Sequence, residues 1–284
     1  MHRMAPYQAG VSIAEYVNRR CQLCHIQPSR LVINAIETVT NPVTRLSHYL
    51  NSGLLCSHCQ DSIVWLPPSF AVDIAPAISL PIQAATYYHY PIRPAFRAFK
   101  HYEDISKLPL LVHILRHLPR PKGCHHANSV IVPMPTTNSR LRKRGFDPVT
   151  ILSAYLAKHW QIPLWKGVQR TDSTLSQQGL TRAERLSNLD NAFAVTKSPT
   201  VKRLLLFDDI ATTGASLQAL ATTLHAHCQP SSRQLINNSA EHASTEHAST
   251  EHASTEHPSI NNPSIHTPYH MTAYAIAHGS NDSL

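Results

Sequence analysis

A chain of 284 residues with 42% hydrophobic content is long enough for one large domain plus an appendage, and apolar enough to bury a core. No window reaches the roughly 18 consecutive apolar residues of a spanning helix, and the first residues lack an apolar signal core, so no membrane insertion is expected and a cytoplasmic location is. The net charge of +8 is unevenly placed: residues 1–233 carry all 25 Lys and Arg but 12 of the 17 Asp and Glu, a local +13 that favours phosphates, pyrophosphate or nucleic acid.

In chain order, the first feature is a pair of cysteine knuckles. Cys21-Gln22-Leu23-Cys24 and Cys56-Ser57-His58-Cys59 are two C-x2-C pairs with 31 residues between them. A knuckle turns two thiolates to one side of a tight turn, and two knuckles complete a tetrahedron. The expectation is a structural Zn2+ site on Cys21, Cys24, Cys56 and Cys59. A redox Cys pair is disfavoured, because there are two pairs and no thioredoxin-like context. His25 and His58 flank the knuckles as spare donors, and the solitary Cys124 and Cys228 are given no role. Residues 1–80 are read as the N-terminal region holding this module.

A main domain is expected over residues 81–228. Ile82–Tyr90 is strand-like and ends at Pro91. Arg93–Tyr102 and Lys107–Leu118 read as helices, with Phe96 and Phe99 on a core face. Lys100 is a candidate phosphate contact or a solvated lysine. Ser129–Pro135 is an apolar strand that runs into Arg140, Arg142, Lys143 and Arg144, and a helix over Pro148–His159 follows. Clustered arginines just past a strand end suit pyrophosphate. A solvated basic loop, or contact with a nucleic-acid backbone, uses the same side chains.

Lys202–Leu217 carries the most chemistry. Leu204–Phe207 reads as a buried strand, with Asp208 and Asp209 at its C-terminal end. Ala211, Thr212, Thr213, Gly214, Ala215 and Ser216 form a small, hydroxyl-rich turn into a helix. Free backbone N–H groups at a helix start suit a phosphate. The two carboxylates suit the vicinal hydroxyls of a ribose. Neither GxxxxGK[ST] nor GxGxxG is present. Beyond Cys228, residues 229–270 hold a period-five Glu-His-Ala-Ser-Thr repeat, read as a low-complexity, disordered insertion. Residues 271–284 regain a strand pattern at Thr272–Ala277, read as the last strand of the sheet.

These pieces resemble a known family. LLLFDDIATTGASL resembles the phosphoribosyl pyrophosphate (PRPP) motif of type I phosphoribosyltransferases. The two knuckles, Val132-Pro133-Met134-Pro135 and RLRKRGF (140–146), with Arg170, Thr174, Gln177, Leu180, Arg185, Asn188, Ala192 and Phe193, resemble the ComF/GntX family of phosphoribosyltransferase-like proteins. One departure stands out: Asp147-Pro148 follow Arg-Gly-Phe where the family has Asn-Gln. The resemblance implies an α/β fold of type I phosphoribosyltransferase kind, a parallel sheet flanked by helices, with a small zinc module in front. It implies PRPP or a related phosphorylated ribose as ligand, with Asp208 and Asp209 on the ribose and residues 211–216 on the 5′-phosphate. Arg140, Arg142, Arg144 and Lys100 are the pyrophosphate-side candidates. Arg170, Arg182 and Arg185 join them from a mobile loop over Thr171–Arg185, or face solvent from a helix. Mg2+ would accompany PRPP. The family is linked to natural competence, which implies DNA-uptake proteins or single-stranded DNA as partners. A phosphoribosyltransferase is the favoured expectation, with the acceptor open. A non-catalytic PRPP sensor or a DNA-handling module is the alternative.

Overall fold

Continuous apolar runs become the inner strands of one sheet, because a strand covered on both faces has no polar side to alternate. In the computed structural model, residues 20–29, 54–171, 192–228 and 269–279 are described. The five strands are β1 (Phe70–Ala75), β2 (Ile78–Tyr87), β3 (Ser129–Pro133), β6 (Arg203–Ala211) and β7 (His270–His278). They lie in the order β1-β2-β7-β6-β3. All neighbours are parallel except β1 and β2, which form an antiparallel edge. The architecture is therefore mixed α/β with a mostly parallel sheet. The last strand in sequence, β7, sits in the middle, between β2 and β6. Ala273 to Ala277 of β7 are all buried.

Helices flank the sheet. In α2 (Ile92–His101), Ile92, Ala95, Phe96 and Phe99 are buried, the i, i+3, i+4, i+7 stripe of a core-facing helix. α3 (Leu108–Leu115) is buried almost all round. α5 (Pro148–Trp160) buries Val149, Leu152, Leu156 and Trp160. α6 (Ala215–Cys228) packs against β1 and β6. A short α1 (Ser57–Asp61) belongs to the cysteine knuckles, and a short α4 (Asn138–Arg144) follows β3. A separate two-stranded sheet pairs β4 (Val168–Arg170) with β5 (Phe193–Val195). Among the described residues, no helix is long and apolar enough to cross a membrane.

Three local differences from the sequence reading bear on the site. The sheet begins at Phe70, ahead of residue 81, because β1 hairpins onto β2. The basic stretch after β3 is a short helix, with Thr137 accepting from the Arg140 N–H at 3.2 Å at its start and Gly145 (φ +70) closing it. β6 runs on to Ala211, four residues past Phe207, so the acidic pair lies within the strand. The repeat-bearing segment and the 172–191 stretch lie outside the described residues.

Candidate functional site

The site arises where β6 loses one neighbour. β3 pairs with β6 from Ser129↔Arg203 to Pro133↔Phe207 and no further. The Met134 N–H donates to the Phe207 carbonyl at 2.8 Å, and the chain then turns into Thr137 and α4. On its other side β6 stays paired with β7, through Asp208↔Ala275 to Ala211↔His278. Asp208 and Asp209 thus stand on the one-sided end of a parallel strand, beyond the carboxyl end of its neighbour. That crevice is where open α/β sheets hold their ligands.

Adjacent residues of a strand project to opposite faces, so the two carboxylates have different surroundings. Asp209 is buried and meets Lys100 of α2, Nζ to Oδ2 2.8 Å. Lys100, expected on the pyrophosphate side, therefore has its ammonium on a carboxylate expected to meet the ribose. Asp208 is half-buried and accepts the Asp209 backbone N–H at 2.8 Å. Its carboxyl is pushed up to about 7, first by burial and then by the charge of Asp209, with Lys100, the Asp209 N–H and Arg170 pulling the other way.

The turn after β6 is built for close approach. Gly214 has φ +75, and a Cβ there would lie 2.7 Å from Ile82 Cδ1 and 3.1 Å from Val72 Cγ1. The backbone angle strains any side chain, and a Cβ would also force the Ile82 side chain to shift. Thr213 Oγ1 accepts the Ala215 N–H at 3.4 Å, and the Gln218 N–H reaches the Gly214 carbonyl at 2.8 Å, so α6 starts directly at the turn. Thr212 is exposed, while Thr213 and Ser216 are partly so, and hydroxyl donors remain within reach of a ligand. The Gly279 N–H closes the rim by donating to the Ala211 carbonyl at 2.9 Å. The Phe70 and His278 rings stack at 4.5 Å beside it.

The basic residues approach from α4 and from β4. Arg140 and Arg142 are exposed and Arg144 is half-buried. Arg144 lies close enough to His101 of α2 for its charge, after burial, to help hold that imidazole below its ordinary value. Phe146 fixes this end of α4 by an edge contact with Phe99, ring centroids 5.3 Å apart. Arg170, at the end of β4, sits 5.4 Å over the Phe193 ring and feels both Arg140 and Asp208. Arg182 and Arg185 lie outside the described residues.

The four knuckle cysteines converge. Their sulfurs all lie within 4.8 Å of one another, with Cys24 Sγ and Cys56 Sγ 3.9 Å apart. Tetrahedral zinc with Zn–S bonds of about 2.3 Å sets its sulfurs at about 3.8 Å, so the donor set fits that ion. The Gln27 and Ile26 backbone N–H groups, in that order, hold the Cys24 thiol down at about 6. Burial pushes Cys59 up. A metal would overcome that burial cost by binding the thiolate. His25 and His58 are exposed, outside this cluster. A thread of contacts ties the knuckles to the sheet. The Thr86 hydroxyl of β2 donates to the Val64 carbonyl at 2.9 Å, and Trp65 Nε1 donates to the Gln60 carbonyl at 3.1 Å. The Trp65 ring stacks on His117 at 3.9 Å.

No family model matches the chain. Among curated proteins it is similar to competence protein F of Haemophilus influenzae, 35% identical over 98 residues, which are 33% of this chain and 43% of that protein. It is also similar to DNA utilization protein YhgH of Escherichia coli K12, 28% identical over 179 residues, covering 61% of this chain and 73% of that protein. The same protein of E. coli O157:H7 matches at 28% over 177 residues. The chain thus spans less than half the length of competence protein F. These similarities support the resemblance to the ComF family.

Proposed function

We propose that the protein binds PRPP, or a related phosphorylated ribose, at the carboxyl end of β6, in the service of DNA uptake. The observation that carries this reading is the acidic pair on a one-sided strand end, running straight into the glycine turn of α6. Asp208 and Asp209 accept the ribose hydroxyls, and residues 211–216 hold the 5′-phosphate with their N–H groups and hydroxyls. Arg140, Arg142 and Arg144, with Arg182 and Arg185, neutralise the pyrophosphate. Lys100 guards Asp209 until the ligand arrives. The raised carboxyl of Asp208 is a fit for a cation, because repulsion between two neighbouring carboxylates is relieved by positive charge. Mg2+ would supply that charge at the pyrophosphate and the ribose hydroxyls. If an acceptor is bound, the chemistry is displacement at ribose C1 with pyrophosphate leaving. The protein's part is then positioning and charge stabilisation rather than a covalent nucleophile. The cysteine cluster holds Zn2+ in a structural role.

The DNA role rests on the relatives named for competence and for DNA utilization. A second reading, a non-catalytic PRPP sensor or DNA-handling module, is favoured by the exposed Arg140 and Arg142, which suit a phosphodiester backbone as well as pyrophosphate. Calorimetry with PRPP, with and without Mg2+, tests the site. Asp208→Asn/Asp209→Asn should abolish Mg2+-dependent binding, and unchanged affinity would sink the ribose assignment. Pyrophosphate release across a panel of nucleobases then separates transferase from sensor.

A further inference from the structure

We propose that the protein has a second ligand site, a cavity on the outer edge of β3 that takes a small, flat, apolar molecule carrying one carboxylate. The site lies across β3 from the acidic strand end and does not rest on the PRPP reading.

The cavity follows from one proline. The inner edge of β3 pairs with β6. Along its outer edge runs the segment 163–165, where the Ile131 N–H donates to the Pro163 carbonyl and the Trp165 N–H to the Ile131 carbonyl, both at 2.9 Å. The backbone groups of alternate residues face the same edge of a strand, so the next outward donor on β3 falls at residue 133. That residue is Pro133, which has no N–H. The outer ladder stops there and the accompanying chain leaves for β4. A cavity of about 70 Å3 opens between it and the turn 132–135. A single water needs about 10–15 Å3 in this measure, so the space holds several waters or one small molecule.

The walls are mostly apolar, with Met134 on one side and Val168 on the other, both buried. Polar groups are few. Thr150 of α5 lines the cavity, but its hydroxyl already donates to Asp147 Oδ2 at 2.6 Å. Two side-chain donors remain. The Trp165 indole N–H is buried and has no hydrogen-bond partner. Lys166 is exposed, and neither of the two ion pairs found among the described residues includes it. The indole is fixed in place: a Cβ on Gly167 would lie 2.5 Å from Trp165 Cε2 and 2.6 Å from the Lys197 carbonyl, so the ring rests on bare backbone. A wholly apolar occupant would leave the indole N–H unanswered. Free phosphate would give up its hydration to apolar walls. A carboxylate on a flat apolar body meets both demands. The body covers the apolar walls, one oxygen accepts from the indole, and the charge answers Lys166.

The test uses the full chain with benzoate as the probe. The chain has three tryptophans, so nitrogen-resolved NMR shows three indole N–H signals. Benzoate should move one of them, and Trp165→Phe, which keeps a ring and removes the donor, should delete that one. Calorimetry should give a benzoate dissociation constant below about 10 mM, weakened about fivefold or more by Trp165→Phe and by Lys166→Met. Benzyl alcohol, which carries no charge, should be weakened by Trp165→Phe and left within about twofold by Lys166→Met. If Trp165→Phe does not fold, the indole shift in the wild type and the Lys166→Met comparison carry the test. No benzoate binding, no indole shift, or a loss confined to one variant would overturn the proposal. So would displacement of benzoate by PRPP with Mg2+, because the cavity would then belong to the β6 site. Should PRPP fail to bind at all while benzoate behaves as expected, the ribose assignment falls and the carboxylate site stands.

Discussion

Two neighbouring aspartates with one lysine between them leave a charge imbalance at the heart of the site, and it falls on Asp208. Its folded carboxyl sits at about 7, against about 3.9 for the same group in an unfolded chain. The folded state therefore binds the proton more tightly. The stability this confers is fully present below about pH 4 and is lost as the pH rises through about 7. Asp208→Asn should remove that slope. Thermal melting across pH 4 to 8 should show the wild type losing more stability than the variant, with the variant ahead by about 1 kcal/mol or more at pH 8, or roughly 2–4 °C. Parallel curves would show that Asp208 ionises normally. Asp209 differs because Lys100 answers it at 2.8 Å. The type and order of the two acids were legible in the sequence, but not their division of labour. That depends on which face of β6 meets α2, a tertiary fact.

At the level of single elements, the Asp147-Pro148 departure from the family pattern has a local explanation. Asp147 accepts the Val149 N–H at 3.1 Å and the Thr150 hydroxyl at 2.6 Å, and Pro148 opens α5. The aspartate is an N-cap, and proline suits the first helical turn because its missing N–H had no partner there. Asp147→Ala should cost about 1 kcal/mol in chemical denaturation, while Asp147→Asn, a cap of equal rank, should cost only a few tenths. A loss of equal size in both would point to the charge of Asp147 rather than to its cap geometry. Legibility elsewhere followed signal length. β3 and β6 were readable as continuous apolar runs, and α2 because its buried residues recur at helical spacing. β1 was not, since FAVDIA is an edge strand whose Asp73 faces outward and breaks the run. The β4–β5 pair was invisible, because three-residue strands carry no period and their partners lie 23 residues apart or more in sequence. With that pair went the setting of Arg170. The arginine was a visible candidate, yet its stacking on Phe193 was not.

At the scale of the whole molecule, contacts among the described residues fasten the cysteine module to the sheet. The Leu66 N–H donates to the Ala85 carbonyl of β2 at 2.8 Å, Thr86 reaches back to Val64, and Trp65 lies on His117 just past α3. Zinc removal should therefore be felt beyond the knuckles. Elemental analysis should find one zinc per chain, and chelation should lower the melting temperature and shift the Trp65 emission, because its ring loses its fixed stack. A chain that melts and fluoresces identically with and without chelator would leave the four sulfurs as a reduced thiol cluster. The sheet carries one more consequence, this time for how the protein is made. β7 is the middle strand, yet it follows the sheet's other four strands in sequence, on the far side of the five-residue repeat. Until residues 270–278 leave the ribosome, β2 and β6 each present an open edge and cannot meet, and the acidic strand end lacks the neighbour that holds it. The ligand site proposed at that strand end thus forms only after residues 270–278 have been made. Gain or loss of whole repeat units preserves the reading frame into β7, whereas a premature stop anywhere in the repeat releases a chain with a slot through the centre of its sheet, a product marked for proteolysis rather than partial function.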